Sequence, residues 1–445
     1  MPYPILAPNS TWYKSSTARS TITKINIVNS YTVTGNENES WNADINNSGS
    51  IKCYRTGTVI TIAGNGTGKI YANSDSSWVF SDSAESNKVY FKSLKTIAGG
   101  TLLDTSKATS MERMFQYAEA LESVDTSNWN TDKVLTMKAM FQVCYALIGV
   151  NVSNWDTSAC TDMTSMFNLC TAIEDLDPSN WDVSNVTSIK RMFSCCVSLP
   201  SLDLTDWDVG KVTSMEGMFL STSARGNMKL TSIGNVSKWN TSACTDMGNM
   251  FQLCSNIKRL DVSGWDTSAC TNMSYMFNMC ASLETLDVSN WDVSKVTTMF
   301  NMFNELCRLE KITLGEKFSF NVNGINTKSA LLPTPSDTYI PNADGNWHRA
   351  DGTSYAADDV PSFTAGTYYA DSRAGEDYLV KGATLIDLGT SVRKKTNTSN
   401  RLMLNDMKDA IDIIGISATS DGDGNVILNV SGLQMFANNG NVTVS

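Results

Sequence analysis

Aromatic residues recur along the middle of the chain with a fixed period. Tryptophan returns after steps of 26, 26, 26, 32, 26 and 26 residues, and phenylalanine follows the same rhythm. Two columns that share one period predict an internal repeat, interrupted by a six-residue insertion around Ser221–Gly234. The tryptophan column comprises Trp129, Trp155, Trp181, Trp207, Trp239, Trp265 and Trp291. The phenylalanine column comprises Phe115, Phe141, Phe167, Phe193, Phe219, Phe251, Phe277 and Phe303.

Within one repeat, two kinds of hydrophobic pattern follow each other. Apolar residues spaced i, i+3, i+4 and i+7 predict a short helix, with Thr271 as its N-cap. The segment Leu283–Val288 alternates apolar and polar residues, which predicts a half-buried strand. A 26-residue unit cannot bury its apolar face alone, so we predict an α/β solenoid of about eight helix–strand coils with the aromatic columns as buried ladders. The helix positions are Met273, Met276, Phe277 and Cys280.

The flanking sequence differs in character from the repeats. Short apolar runs between Asn, Gly and Ser turns predict a β-rich domain before them, and prolines mark a connection after them. A helix within Asn400–Ile414 and a strand at Val426–Val430 are predicted near the end of the chain. The predicted organisation is an arm at 1–19, a β-rich capping domain at 20–104, the repeats at 105–320, a Pro/Gly/aromatic-rich connecting module at 321–385 and a helix-plus-strand module at 386–445.

Composition narrows the functional classes. The net charge of −11 argues against nucleic acid or an anionic membrane as a partner. His348 is the one histidine, which disfavours histidine-rich zinc sites and Ser-His-Asp chemistry. No run approaches 18 apolar residues, and the start of the chain shows no targeting signal, so we expect no membrane insertion.

The eleven cysteines keep to the repeat register. One group lies three residues after the column phenylalanine, and another lies five after the tryptophan, where other repeats carry valine. Exchange with valine predicts small buried sites and therefore free thiols, with scattered disulfides or a metal site as alternatives. The first group is Cys144, Cys170, Cys196, Cys254 and Cys280, and the second is Cys160, Cys244 and Cys270.

Aspartates also recur, directly after the tryptophan and four residues before it. Short carboxylates at turns usually accept backbone N–H bonds, which is the role we predict; a row of calcium sites and a glycosidase pair are the alternatives. Gly64–Lys69 imitates a phosphate loop but has Ala63 and Ile70 at two required positions, so we predict a hairpin turn. Asp421–Asn425 lacks the glutamate of an EF-hand and is also predicted to be a hairpin turn.

The repeat pattern Leu-Asp-Val-Ser-x-Trp-Asp-x-Ser-x-Val/Cys-Thr-x-Met-x-x-Met-Phe-x-x-Cys resembles the BspA-type leucine-rich repeats of bacterial surface proteins. The ending Ile312–Phe318 resembles the last coil of that family. The resemblance implies a leucine-rich-repeat solenoid that is exposed on a surface and used for adhesion or recognition. The segment Gly57–Asn73 resembles a leader region found in proteins of gut Firmicutes and their phages. It therefore favours a phage-encoded member.

These observations predict a non-enzymatic recognition protein without a cofactor. The sharpest form is a phage virion component, a tail or head fibre that binds a bacterial surface receptor and touches other virion proteins. The alternatives are a bacterial adhesin that binds a host protein or glycan, a structural spacer, or a polysaccharide depolymerase. We expect a virion-surface or extracellular location. The predicted partner-binding residues vary between repeats or lie in the insertion: Lys138, Ser165, Lys190, Glu216, Asn249, Tyr275, Arg225 and Lys229.

Overall fold

The computed structural model describes residues 5–81, 91–321 and 330–372, and the backbone of four strands between 417 and 444. The chain divides into two compact units, Met1–Gly375 and Glu376–Ser445. The helix predicted within Asn400–Ile414 and the turn predicted at Asp421–Asn425 lie outside the described residues. Among the described residues, no helix is both long enough and apolar enough to cross a membrane.

The N-terminal part of the first unit is built on a six-stranded sheet in the order β2-β3-β4-β1-β6-β8. Strand β1 runs parallel to β4 and β6, and its alternating pattern buries Ile25 and Ile27. A two-stranded parallel sheet joins β5 to β7. These strands are β1 Lys24–Val28, β2 Glu39–Asn42, β3 Lys52–Thr56, β4 Val59–Ala63, β5 Ile70–Tyr71, β6 Thr96–Ala98, β7 Leu103–Asp104 and β8 Ser123–Val124.

The predicted helix–strand solenoid is wrong, because the repeats contain no α-helix in the described part of the chain. The helices among the described residues are short 3₁₀ helices, and they lie before or after the repeats. The remaining regular structure consists of several small sheets. The 3₁₀ helices are Asn9–Trp12, Arg19–Thr21, Gly100–Leu102 and Ala357–Asp359.

The backbone hydrogen bonds explain why the predicted helix does not form. Met273, Tyr275 and Phe277 donate their N–H groups to carbonyls of the next repeat, at 2.8 to 3.1 Å. The residues between them close turns within the repeat, such as Asn278 N–H to Tyr275 C=O at 3.1 Å. Tyr275 and Met279 have φ of 58° and 61°, in the left-handed region. Two left-handed turns in succession give the same i, i+3, i+4, i+7 apolar spacing as a helix, so the pattern could not separate them.

Two aromatic ladders run through the core of the repeats. Ring centroids of successive phenylalanines are 5.1 to 6.3 Å apart, and those of paired tryptophans 5.9 to 6.4 Å. Every residue of both columns is at most 4% exposed. Most of the indoles also donate N–H to a carbonyl of the preceding repeat, for example Trp265 to Val236 at 2.8 Å. The tryptophan column therefore supplies packing area in each repeat and a satisfied donor in every repeat except that of Trp155, whose buried indole N–H has no partner among the described residues.

Parallel pairing links the strand segments of successive repeats. Most contacts are single bridges, such as Gly149 with Asp175, and they lengthen to a true strand pair at β9 and β10. Antiparallel β13, followed by β11 and β12, then closes this sheet, in the order β12-β11-β13-β10-β9. These strands are β9 Thr285–Val288, β10 Lys311–Leu314, β11 Asn346–His348, β12 Ser354–Ala356 and β13 Gly366–Tyr369.

The described part of the second unit is a four-stranded antiparallel meander in sequence order. The predicted strand at Val426–Val430 is confirmed as β15, and it pairs with a strand on either side. The other strands are β14 Ser417–Ser420, β16 Leu433–Asn438 and β17 Asn441–Val444.

Candidate functional site

The parallel ladder presents one continuous outward face, which we call the strand-face groove. Its first column consists of the outward residues at one position of each strand segment, several of which bridge to the next repeat, and the second column lies two residues further on. The first column is Ser123, Gly149, Asp175, Ser201, Ser232, Arg259, Thr285 and Lys311. The second includes Asp125, Asn151, Asp177, Asp203, Asp261, Asp287 and Thr313. Neither column contains an aromatic side chain.

The aspartates of the second column are folded down onto their own backbone. Asp261 accepts the N–H of Ser263 at 3.1 Å and its hydroxyl at 2.6 Å, and Asp287 accepts the N–H of Ser289 at 2.9 Å. The column after the tryptophan behaves alike, with Asp266 accepting the N–H of Ser268 at 2.9 Å. These are Asx turns, as the sequence predicted. These carboxylates are therefore held close to the backbone, whereas Arg259 and Lys311 of the first column are long and exposed.

Three cavities lie along this face. The first, of about 720 Å³, is lined by Ser123, Gly149, Asn151, Asp175 and their neighbours. The second, of about 380 Å³, lies between Arg259, Thr285 and Lys311, beside the second-column aspartates. The third, of about 510 Å³, shares Thr313 with the second. Each is a shallow depression that is about half open to solvent, and not an enclosed pocket.

Charge changes along the groove. The first cavity is lined by Glu122, Asp175 and Asp177 with no lysine or arginine among its described lining residues. The second combines Arg259 and Lys311 with two aspartates. The exposed side chain of Ile148, at 55% exposure, stands at the edge of the first cavity and adds an apolar contact. The groove therefore offers hydrogen-bonding groups of both kinds along its length, with the negative charge concentrated at one end.

Six of the eight predicted partner-binding residues lie on a second surface, the turn face, formed by the left-handed turns. There Lys190 and Arg191 both pair with Glu216, the latter at 3.1 Å. Burial raises the pKa of Glu216, but its hydrogen bond to Lys190 and the two positive charges outweigh this, so the pKa lies below its usual value. Tyr275 meets Phe300 edge to face, with centroids 5.3 Å apart. Lys138 is on the same face, and Ser165 and Asn249 occupy the Tyr275 column.

The six-residue insertion folds back on earlier repeats. The guanidinium of Arg225 lies 4.7 Å from the ring centroid of Tyr145 and donates to its hydroxyl at 3.0 Å. Lys229 pairs with Glu174 at 3.8 Å, directly beside Asp175 of the groove. Neither basic residue lines one of the three cavities. Partner binding by the eight predicted residues stays a prediction.

The groove residues themselves were not singled out from the sequence. Their signal was the outward position of the alternating strand segment, which stays small or polar in repeat after repeat while its neighbours are leucine, isoleucine or valine. Periodicity drew attention to the invariant aromatic columns, which pack the core. The variable column of the strand segments, which includes Gly149, Arg259 and Lys311, faces solvent and lines the groove.

Other candidate sites have structural explanations. The eleven cysteines are all unpaired, as predicted. No group of three or more His, Cys, Asp or Glu side chains suited to a metal occurs in the described ranges. The hairpin predicted at Gly64–Lys69 is wrong: β4 pairs with β1 and β3, whereas β5 pairs with β7, so the glycine-rich loop connects two sheets. His348 pairs with Asp344 at 2.9 Å.

The repeats match the model of a known protein family. The family model described as Mycoplasma protein of unknown function, DUF285, matches residues 70–168, 109–232 and 222–330. The chain belongs to the DUF285 family. The three matches together span residues 70–330, so they cover more than half of the chain. No curated protein matches it.

Membership of DUF285 places the strand-face groove within the family's matched region. The first cavity lies in the first two matched segments, and the second cavity lies in the third. The family description assigns no function, so the chemistry of the groove has to be argued from its residues.

Proposed function

We propose that this chain is a non-enzymatic recognition protein that binds an extended ligand on a cell surface through the strand-face groove. Support comes from one observation above the others: the outward columns of the strand segments carry one depression around Gly149 and another around Thr285, with a third next to the second. We expect a stiff floor, because strand segments are bridged at Gly149–Asp175, Ser201–Ser232 and Arg259–Thr285 and rest on the aromatic ladders. Such a surface needs little reorganisation on binding, which favours affinity.

The dimensions favour an extended ligand over a small molecule. Parallel strand segments are spaced about 4.8 Å apart, so the seven steps from Ser123 to Lys311 span about 34 Å. A ligand that fills the first and second cavities together must reach across most of this distance. A polymeric cell-surface glycan or an exposed protein segment has that length.

The resemblance of the repeats to BspA-type surface proteins favours a role at a surface, and the sharpest form of the proposal is a phage virion component that binds a bacterial receptor. A bacterial adhesin that binds a host protein or glycan, and a structural spacer, are the alternatives. Antibodies to the chain should label virions released from a producing strain. Labelling of the cell envelope with unlabelled virions would favour the adhesin.

The groove can be tested with bulky side chains placed on its floor. Ser123 and Thr285 are exposed and line the first and second cavities, so Ser123→Tyr and Thr285→Tyr should obstruct them without disturbing the core. Ser165→Tyr is the matched control, because it adds the same side chain on the turn face, in the column where Tyr275 already stands. Circular dichroism and thermal unfolding should show that all three variants fold.

Binding of the labelled full chain to a panel of intact gut bacteria and epithelial cells is the readout. We expect the two groove variants to reduce staining of any bound cell type at least tenfold, and Ser165→Tyr to leave it within twofold. Loss of staining with Ser165→Tyr alone would move the binding site to the turn face. Absence of staining by the parent chain would favour the structural spacer.

A further inference from the structure

The cysteines form two ladders that place the thiols deep inside the repeats. In the first ladder each S–H group donates to the carbonyl of the column phenylalanine one repeat back. Cys170 reaches Phe141 at 3.1 Å, and Cys280 reaches Phe251 at 3.0 Å. The other members make the same bond at 3.2 to 3.3 Å, namely Cys144, Cys196 and Cys254. The thiol is therefore a repeated donor in the native structure, and not only a small apolar group.

The second ladder uses the thiol differently. Cys160, Cys244 and Cys270 donate to the carbonyl two residues further on, at 3.7, 3.5 and 3.3 Å. All three are inaccessible to solvent, as is Cys53 in β3. Cys307 alone among the eleven is partly accessible.

Burial also suppresses the reactive form of these thiols. Desolvation raises the pKa of Cys160 and Cys270 to about 11, and that of Cys244 and Cys280 to about 12. Thiolate is the species that attacks disulfides, and a pKa of about 11 leaves about one thiol in a thousand ionised at pH 8. Oxidants thus meet two obstacles in the folded chain, a closed core and a protonated sulfur.

The unfolded chain has neither protection. Its thiols are exposed, with ordinary pKa values, and Cys144, Cys160, Cys170, Cys195 and Cys196 fall within one short stretch. Oxidised glutathione would accept two electrons and two protons from any such pair, leave as two reduced glutathione molecules, and join the two sulfurs. That bond removes both S–H donors and holds the sulfurs about 2 Å apart. A chain linked in this way cannot place each thiol against its own carbonyl.

We propose that this chain folds only where its thiols are kept reduced, and that the finished stack of repeats then shields ten of its eleven thiols from oxidation. The protein would thus enter an oxidising exterior as an already folded chain, made in a reducing compartment. The passage to an exterior rests on the proposed surface role, whereas the folding requirement and the shielding do not depend on what the groove binds.

The first test is thiol counting on the full chain under native conditions. A maleimide reagent should label one thiol rapidly, Cys307, and the remaining ten at least a thousandfold more slowly than in urea. Mass spectrometry after digestion identifies the labelled residue, and Cys307→Ser should abolish the rapid phase. Rapid labelling of several ladder cysteines would overturn the shielding part of the proposal.

The second test separates folding from the folded state. The chain is unfolded in urea with reductant and refolded by dilution into either reduced or oxidised glutathione, with tryptophan fluorescence as the readout. We expect at least tenfold less native protein in oxidised glutathione, full recovery when dithiothreitol is added later, and no effect of oxidised glutathione on protein that is already folded. Equal yields in both buffers would refute the proposal.

The repeats supply a graded variant for this experiment. Other repeats carry valine in the column of Cys160, namely Val134, Val186, Val212 and Val296. The triple variant Cys160→Val, Cys244→Val and Cys270→Val therefore introduces a residue that the fold already accepts at this position. This triple variant should refold in oxidised glutathione with a higher yield than the parent chain, because fewer wrong pairs can form. A yield unchanged or lower than that of the parent would contradict thiol mispairing as the obstacle.

Discussion

The left-handed turns and the helix suggested by the apolar spacing predict opposite effects of glycine on stability. A substitution at Ser165 can decide between them. Ser165 has a φ of 57°, donates its N–H to Lys190 of the next repeat at 2.8 Å, and accepts from Asn168 at 3.1 Å. Its column contains Gly217, Asn249 and Asn301, all at positive φ. Gly and Asn are the residue types that adopt this conformation most readily.

The free energies follow from the backbone conformation. A non-glycine residue in the left-handed region destabilises the folded chain by about 1–2 kcal/mol, and glycine avoids this cost. Glycine also makes the unfolded chain more flexible, which offsets about 0.5–1 kcal/mol of that gain. Ser165→Gly should therefore stabilise the protein by about 0.5–1 kcal/mol relative to Ser165→Ala. In a helix the same comparison would favour alanine by about 1 kcal/mol. The two structures predict opposite signs, about 2 kcal/mol apart in total.

Urea unfolding followed by tryptophan fluorescence measures the difference between the two variants. Ala172 in the same repeat is the control, because its φ is negative and its N–H donates to Tyr145 at 3.2 Å. Ala172→Gly should destabilise the chain by about 0.5–1 kcal/mol. If glycine is less stable than alanine at position 165 as well, the turn assignment is refuted.

Three further perturbations test other parts of the structure. Trp265→Phe keeps most of the packing but removes the donor to the Val236 carbonyl at 2.8 Å, so we expect a loss of about 1–3 kcal/mol in the free energy of unfolding, measured in urea; a neutral result would mean that the indole N–H contributes nothing. Gly99→Ala should cost more than 2 kcal/mol, because φ is 75° and the new Cβ would lie 2.1 Å from the Ile27 carbonyl oxygen; chemical denaturation should show it, and stability close to the parent would contradict that contact. Hydrogen bonds from Ser15 and Ser16, with Arg55 close by, lower the pKa of Glu39 from 4.5 to about 2. The ionised Glu39 therefore stabilises the folded chain fully above pH 4.5, and this stabilisation is lost as the pH falls through 2. Discounted for solvent screening this amounts to about 1 kcal/mol, and Glu39→Gln should reduce the dependence of the melting temperature on pH between 5 and 2; an unchanged slope would contradict the assignment.

Periodicity determined much of the core correctly, because burial depends mainly on which residues are apolar. The stacked phenylalanines and tryptophans lie where a shared 26-residue period put them, and the cysteines that exchange with valine are buried and unpaired. The aspartates beside the tryptophans were predicted as turn residues from their short side chains alone. Each of these inferences needed only local chemistry repeated at a constant spacing.

The candidate groove could not be found in the same way. A residue such as Gly149 or Ser201 carries no chemical signature, and its place on an outward face follows from which backbone groups pair between repeats. The predicted contact residues were chosen because they vary, and the structure places Lys138, Lys190 and Tyr275 on the turn face instead. Variation shows that a side chain is free to change, but it does not show which surface it occupies.

The sequence by itself determined the repeat, its period, its buried columns and its turn residues. Only the tertiary structure decided the path of the backbone within each repeat. Met273 through Met279 have a spacing of apolar side chains that both a helix and a pair of left-handed turns satisfy. The choice depends on where the N–H groups find acceptors, and alternate ones find them in the next repeat. Those hydrogen bonds exist only when the repeats stack, so no single repeat contains the information.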